Sequence, residues 1–107
     1  MDEQLYHVET GGGYEWSDWA VYHHPNRPTS FFTWTESGCS CDGWEGPSDE
    51  DAHNATPMTK SEVRNHFVEW WDDSSTNFDG SDAQGKVHHL EKLVQVLLGK
   101  WLRTEND

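Results

Sequence analysis

The most specific chemical feature of this 107-residue sequence is a pair of cysteines separated by one residue, Cys39 and Cys41. Two thiolates at this spacing can supply two of the four ligands of a tetrahedral zinc site, and a nearby histidine such as His53 can add a third. No Cys-x-x-Cys or His-x-x-x-His pair accompanies them, so the motif is incomplete. We therefore predict no cofactor and keep zinc held by Cys39, Cys41 and His53 as the alternative. In the competing interpretation the cysteines are small buried residues that pin a turn.

Aromatic and acidic residues suggest binding, because the sequence contains seven tryptophans and 20 acids. Tryptophan is enriched at binding hot spots, and three of the seven do not follow the spacing of the predicted core. The residues that we predict to contribute to binding are Trp16, Trp19, Trp44, Asp49, Glu50 and Asp51. The alternative for each tryptophan is burial in the core. The alternative for the three acids is a solvated segment with no binding role.

Recognisable catalytic motifs are missing from the sequence: it contains no Ser-His-Asp arrangement, phosphate loop or dinucleotide fingerprint. The adjacent pairs His23-His24 and His88-His89 cannot chelate a metal alone, because neighbouring side chains point apart on a strand or helix. A metal nuclease would also need bases to hold the phosphate backbone, and residues 1–58 contain only Arg27. We therefore predict that the protein is not an enzyme. A deep pocket with His23 or His24 beside a carboxylate would reverse that prediction.

The net charge of −13 is distributed unevenly. Residues 1–58 carry eleven acids and one base, whereas residues 59–107 carry nine acids and six bases. Such a surface repels nucleic acid and anionic membranes and attracts a basic protein surface. The alternative is that the charge serves solubility alone. We also expect histidines near these acids to have raised pKa values.

Targeting signals are also missing. The N-terminus lacks the basic segment and apolar run of a signal peptide, and no window reaches the length of a transmembrane helix. Two cysteines do not form a disulfide framework. We therefore predict a reduced, cytoplasmic protein with no membrane partner. The sequence leaves open whether the chain forms a homo-oligomer.

Strand-like segments occupy residues 3–37. Residues 4–10 alternate in polarity, and residues 14–24 are rich in aromatic and β-branched side chains. A turn over Pro25–Pro28 then leads into a return strand, Phe31–Glu36. Alternation places Trp19 and Val21 on one face of the second strand. The pattern predicts a hairpin, extended by the first segment into a three-stranded meander.

Two helices are predicted after an acidic, cysteine-containing loop over residues 38–58. The capping box Thr59–Glu62 begins a helix over residues 59–72, and the box Ser81–Gln84 begins one over residues 82–104. Their apolar stripes comprise Val63, Phe67, Trp70 and Trp71, and then Val87, Leu90, Val94, Leu97 and Trp101.

Strands followed by helices predict one α+β domain over residues 1–107. We expect a small antiparallel sheet, a hairpin or a three-stranded meander, covered on one face by the two C-terminal helices. The other face needs no cover. Aromatic residues exposed there would mark a binding surface.

The aromatic hairpin and the turn Gly38-Cys39-Ser40-Cys41 that follows it resemble small uncharacterised proteins of actinobacterial phages. The resemblance covers roughly residues 14–45 and implies an intracellular viral accessory protein with no transferable catalytic residues. Small phage proteins of this kind often bind host proteins. Together with the acidity, this implies a non-catalytic protein-binding module or an inhibitor of a host protein. Mimicry of nucleic-acid charge is one form such inhibition could take.

Overall fold

The computed structural model describes residues 4–12, 15–39, 43–75 and 83–106. Within these ranges the chain forms three strands and then three helices. They are β1 (Gln4–Gly12), β2 (Glu15–His24), β3 (Arg27–Cys39), α1 (Asp49–Asn54), α2 (Lys60–Ser75) and α3 (Ala83–Asn106). The strands form an antiparallel sheet in the order β1-β2-β3. The predicted α+β class and three-stranded meander are confirmed.

The central strand β2 presents different side chains to the two faces of the sheet. Trp19 and Val21 face α2 and α3, whereas Ala20 and Tyr22 belong to a separate cluster on the opposite face. This follows from the two-residue periodicity of a strand. The predicted assignment of these four residues to opposite faces is therefore confirmed.

The return strand β3 is longer than the predicted Phe31–Glu36. It begins at Arg27, which pairs with His24, and the register shifts between His23 and His24. Phe31 also exchanges two backbone hydrogen bonds with Met58, at 2.9 and 2.7 Å. Met58 is thus the point where the chain returns to the sheet before α2 begins.

The face that packs against α2 and α3 forms the larger core. Its buried residues are Val8, Trp19, Val21, Phe31, Val63, Phe67, Trp70, Trp71, Leu93 and Leu97. The Phe67 ring lies 5.2 Å from that of Trp19 and 5.9 Å from that of Trp70. A few large aromatic side chains therefore supply much of the buried apolar area in a chain whose hydrophobic content is low.

The start of α2 follows the predicted capping box. The Thr59 amide donates to Glu62 Oε1 at 2.9 Å, and the Glu62 amide donates to Thr59 Oγ1 at 3.2 Å. These bonds satisfy backbone donors that a helix N-terminus leaves unpaired. The predicted box at Ser81–Gln84 and the side chain of Trp101 lie outside the described residues.

The opposite face of the sheet is not open, contrary to the prediction. Residues 43–55, which we name the cover segment, lie across it. Ala20, Tyr22, Phe32 and Ala52 are buried in this layer, and Trp34, Trp44 and Ala55 pack against them. The Tyr22 and Phe32 rings stack at 5.1 Å with an interplanar angle of 12°. Among the described residues of this face, Tyr22 and Phe32 are therefore buried where exposed aromatic residues were predicted, and Trp34 and Trp44 are partly exposed.

Part of the predicted loop over residues 38–58 is helical. The Ser48 hydroxyl accepts from the Asp51 amide and the Asp51 carboxylate accepts from the Ser48 amide, both at 3.1 Å. This capping box begins α1, whose Ala52 is buried against the sheet. Gly46 precedes it with φ of 79°, a conformation that favours glycine. The cover segment is therefore an ordered layer of the domain.

The β2–β3 turn is hydrogen-bonded to the C-terminal end of the cover segment. The Asn26 side chain donates to the His53 carbonyl at 3.2 Å and accepts from His53 Nδ1 at 2.8 Å. His24 Nε2 donates to the Ala55 carbonyl at 2.8 Å. The cover segment is thus held at the hairpin turn as well as over the sheet. None of the helices in the described ranges is long and apolar enough to cross a membrane.

Candidate functional site

Three carboxylates form a row across the sheet on the face beneath the cover segment. Glu9 on β1 is directly opposite Asp18 on β2, and Asp18 is directly opposite Glu36 on β3. We name these residues the acidic row. Asp18 is only 6% exposed. Like charges directly opposite each other in a sheet are destabilising unless other groups offset them, and the row concentrates negative charge on this face.

His7 lies beside the acidic row, two residues before Glu9 and on the same face of β1. Its Nε2–H donates to Asp18 Oδ2 at 2.9 Å. Its ring lies 4.4 Å from that of Trp44, with an interplanar angle of 31°. One ligand atom from each of His7, Glu9 and Asp18 lies within 4.8 Å of the other two. The imidazole is therefore held between the cover segment and two carboxylates.

Glu36, the third member of the acidic row, holds the cover segment onto the sheet. Its carboxylate accepts from Trp34 Nε1 at 2.8 Å, from the Gly46 amide at 2.8 Å and from the Glu45 amide at 3.0 Å. Burial alone would raise the pKa of Glu36, but these hydrogen bonds and the nearby His7 together lower it. The cover segment is therefore attached to the sheet through the charged form of Glu36.

Charge differs sharply between the two layers that cover the sheet. The cover segment has four acids and no lysine or arginine, whereas α2 and α3 together have six acids and six bases. Asp49, Glu50 and Asp51 are exposed in the first turn of α1. They stabilise the helix N-terminus, and they also place negative charge on the outer surface. Within the described residues, the cover segment therefore carries more net negative charge than α2 and α3 together.

The three tryptophans predicted to bind a partner occupy different environments. Trp19 is 0% exposed and belongs to the core, so it is not part of a surface patch. Trp16 is partly buried and its Nε1 donates to the Cys39 carbonyl at 2.8 Å. Trp44 is partly exposed and stacks on His7. Of the three, Trp44 is the one that contacts His7, the histidine beside the acidic row.

The predicted zinc ligands are not brought together. Cys39 ends β3, whereas His53 contacts Asn26 at the turn that precedes β3. The rise of an extended strand separates those two ends by roughly 30 Å or more. Cys39 is also disulfide-bonded, which differs from the reduced state we expected, and a disulfide sulfur is not a thiolate ligand. Cys41 lies outside the described residues, and zinc binding by the reduced chain stays a prediction.

Two histidines on the helix side, away from the acidic surface where we expected raised values, have lowered pKa values. His66 Nδ1 accepts from Trp19 Nε1 at 3.0 Å, and His89 Nδ1 is hydrogen-bonded to the Tyr6 hydroxyl at 2.8 Å. Burial lowers the pKa of each, more than the neighbouring Glu69 raises that of His66. These imidazoles serve the core in their neutral form.

The acidic row and His7 were not identified from the sequence. The available signal was strand alternation, which puts His7 and Glu9 on the face opposite Val8 and puts Asp18 on the face opposite Trp19. Recognising the cluster also required the β1–β2 register, which pairs Glu9 with Asp18. A shift of one residue would have moved one partner to the other face.

Comparison with known proteins identifies one family. A model described as a domain of unknown function, DUF7574, matches residues 3–98. No curated protein and no solved structure matches the chain. The match spans all three strands and helices α1 and α2, together with most of α3. The chain therefore belongs to the DUF7574 family, whose function is unknown.

Proposed function

We propose that this protein is a non-catalytic binding module that holds a basic surface of another protein against its cover segment. The observation that carries the proposal is the segregation of charge. Four acids and no lysine or arginine lie on the cover segment, while the helices on the other side are balanced. Electrostatic complementarity of this kind steers association and selects partners by charge. It also disfavours nucleic acid and anionic membranes as ligands.

Trp44 supplies an apolar anchor within this acidic surface. It is partly exposed and its ring rests on His7, so part of the indole is fixed before any partner arrives. A pre-positioned aromatic loses little side-chain entropy on binding. The exposed acids Glu45, Asp49 and Glu50 follow it along the cover segment. An aromatic anchor surrounded by charge is typical of a binding hot spot with a polar rim.

The absence of catalysis is part of the proposal and is supported by the placement of the histidines. His24 is buried, and both its ring nitrogens are engaged by protein atoms, Nε2 with the Ala55 carbonyl and Nδ1 with the Asn26 amide. His23 stacks on Phe31 at 5.2 Å. The His24 imidazole therefore does not offer the accessible base that the enzyme hypothesis required.

The resemblance to phage proteins favours a host or phage protein as the partner, in the cytoplasm of the host. In the specific form of the proposal, the cover segment imitates the charge of nucleic acid and occupies a basic groove. Binding driven by charge weakens as salt screens it, because the Debye length falls from about 10 Å at 0.1 M to about 3 Å at 1 M ionic strength. A steep loss of affinity over this range is expected.

The experiment compares three forms of the full chain in pull-downs from an actinobacterial host lysate. The test variant is E45Q/D49N/E50Q, which leaves Asp51 in place to cap α1. The control variant, E69Q/D73N/E91Q, removes the same charge from exposed positions on α2 and α3. We expect one basic protein to be retained by the wild type and the control but not by the test variant, and to be released at high salt. Equal retention by both variants would contradict the proposal.

A further inference from the structure

We propose that His7, Glu9 and Asp18 form a binding site for a divalent transition-metal ion, distinct from the cysteine turn. The imidazole and the two carboxylates come from adjacent antiparallel strands, and their ligand atoms lie within 4.8 Å of one another. Around an ion with bonds of about 2.1 Å, no two ligand atoms are more than about 4.2 Å apart. The ligand atoms therefore need to move only slightly closer together. The exposed Glu9 side chain can do so by rotating.

The His7–Asp18 contact already has a suitable spacing. His7 Nε2 lies 2.9 Å from Asp18 Oδ2. Neighbouring ligands around a tetrahedral ion with bonds of about 2.1 Å are separated by about 3.4 Å, only slightly more than this contact. In the metal-bound form the neutral ring carries its proton on Nδ1, and the Nε2 lone pair binds the ion in place of the N–H···O bond; a protonated ring would release its second proton to solvent. Little movement of either side chain is required.

Electrostatics favour a cation at this position. The acidic row places three carboxylates on one face of three neighbouring strands. All three lie close to a single imidazole, that of His7. Asp18 is largely removed from water, where repulsion between like charges is screened least. A divalent ion would convert the repulsion between Glu9 and Asp18 into attraction to a shared centre. This charge arrangement, and not the presence of acids alone, points to a cation as the ligand.

Rigidity supports the same assignment. The His7 ring is held on one side by Trp44 at 4.4 Å. Glu36 fixes the adjoining part of the cover segment by accepting from the Glu45 and Gly46 amides. Supporting contacts of this kind orient ligands and strengthen metal sites. Trp44 therefore has a structural role at the cation site as well as its proposed role in partner binding.

The mixed ligand set indicates the class of ion. Imidazole suits Zn²⁺, Cu²⁺, Fe²⁺ and Ni²⁺, whereas carboxylates alone suit Mg²⁺, Ca²⁺ and Mn²⁺. One nitrogen and two oxygens therefore favour Zn²⁺ over Mg²⁺ or Ca²⁺. Three protein ligands would leave a coordination position for water or for a group from a partner.

The test is calorimetric titration of the full, untagged chain with ZnCl₂ under non-reducing conditions, which keeps the disulfide of Cys39 intact. We expect one saturable site. His7→Gln and Glu9→Gln should each weaken it by at least about tenfold. The matched controls His88→Gln and Glu91→Gln, at exposed positions on α3, should change affinity less than twofold.

Absence of saturable binding would overturn the proposal, as would equal affinity in the wild type and in Glu9→Gln. Since Glu9 is exposed, its variant should remain folded even if His7→Gln is not. A second measurement locates the ion by NMR, using Cu²⁺ as a paramagnetic probe, because Cu²⁺ shares the preference of Zn²⁺ for imidazole. Broadening of the Trp44 indole and Ala20 amide signals that disappears in Glu9→Gln is expected. Broadening confined to α2 or α3 would overturn the assignment.

Discussion

The two faces of the sheet are covered by layers with contrasting chemistry. On one face, α2 and α3 bury ten apolar side chains around Phe67 and Trp19, and their charges balance. On the other, the cover segment buries four residues and holds itself in place through Glu36, the Asn26–His53 pair and His24. The first layer is built from packing and the second largely from hydrogen bonds and charge.

This difference separates stability from recognition within one small domain. The helix side contributes most of the buried apolar surface, so it should dominate the free energy of unfolding. The cover-segment side places like-charged carboxylates directly opposite one another, an arrangement that by itself costs stability. Residues that conflict with folding in this way are typical of functional sites. The following predictions test whether the two faces really differ in this respect.

The largest effect is expected from Phe67→Ala on the helix face. Phe67 is fully buried and touches several aromatic rings, so truncation leaves a cavity. We expect a loss of about 3–5 kcal/mol in the free energy of unfolding, measured by urea denaturation. Val87→Ala, at a half-exposed position on α3, is the control and should cost much less. Comparable losses in the two variants would refute the assignment of the core.

A smaller effect is expected from Glu36→Gln on the opposite face. The amide retains one acceptor oxygen, but its NH₂ group faces donors where the carboxylate accepted three hydrogen bonds. We expect a loss of about 1–2 kcal/mol. Amide hydrogen exchange should become faster at Glu45 and Gly46 and stay unchanged in α2. Uniform acceleration throughout the chain would show that the two layers are not independent.

Gly46→Ala should have a smaller effect still. A Cβ at this position would meet Tyr22 Oη and Trp44 Nε1 at 3.6 Å, which is ordinary contact, so the cost comes from the backbone at φ of 79°. Left-handed backbone costs about 1–2 kcal/mol for a residue other than glycine. We expect a loss near the lower end, about 1 kcal/mol, in thermal unfolding. No change would mean that the turn can adopt another conformation.

Acidification should affect the two faces in different pH ranges. Burial lowers the pKa of His66 and His89 below 6.5. Their neutral forms therefore stabilise the fold above that value, and this contribution is lost as the pH falls through their folded-state pKa values. The pKa of Glu36 is lowered below 4.5, so its contribution is lost only in stronger acid. We expect small effects because these side chains keep partial access to water.

Denaturation curves at a series of pH values resolve the two ranges. His66→Asn keeps an acceptor for Trp19 Nε1 but does not titrate, so it should reduce the loss of stability that sets in as the pH falls below 6.5. Glu36→Gln should leave that loss unchanged and reduce the one below pH 4.5. Identical profiles for the two variants would contradict the separate assignments.

The fold was predictable from local patterns wherever one face of an element is apolar. Alternation around Trp19 and the spacing of Val63, Phe67 and Trp70 identify the sheet and α2 directly. The cover segment lacked such a signal, because α1 buries only Ala52 within a run of acids. Its capping box, Ser48–Asp51, was a usable local indication. The acidic row was harder to predict, since it exists only through the pairing of three strands.

The most direct test of the difference between the faces is an NMR titration of the full, isotope-labelled chain with decalysine, a simple basic ligand. At low ionic strength we expect chemical-shift changes in the cover segment, including Trp44 and Asp49 to Asp51, that vanish near 1 M salt. Amides of α2 and α3 should stay unperturbed. Changes spread evenly over the acids of both layers, or concentrated on α2 and α3, would contradict the claim that the cover segment is the recognition surface.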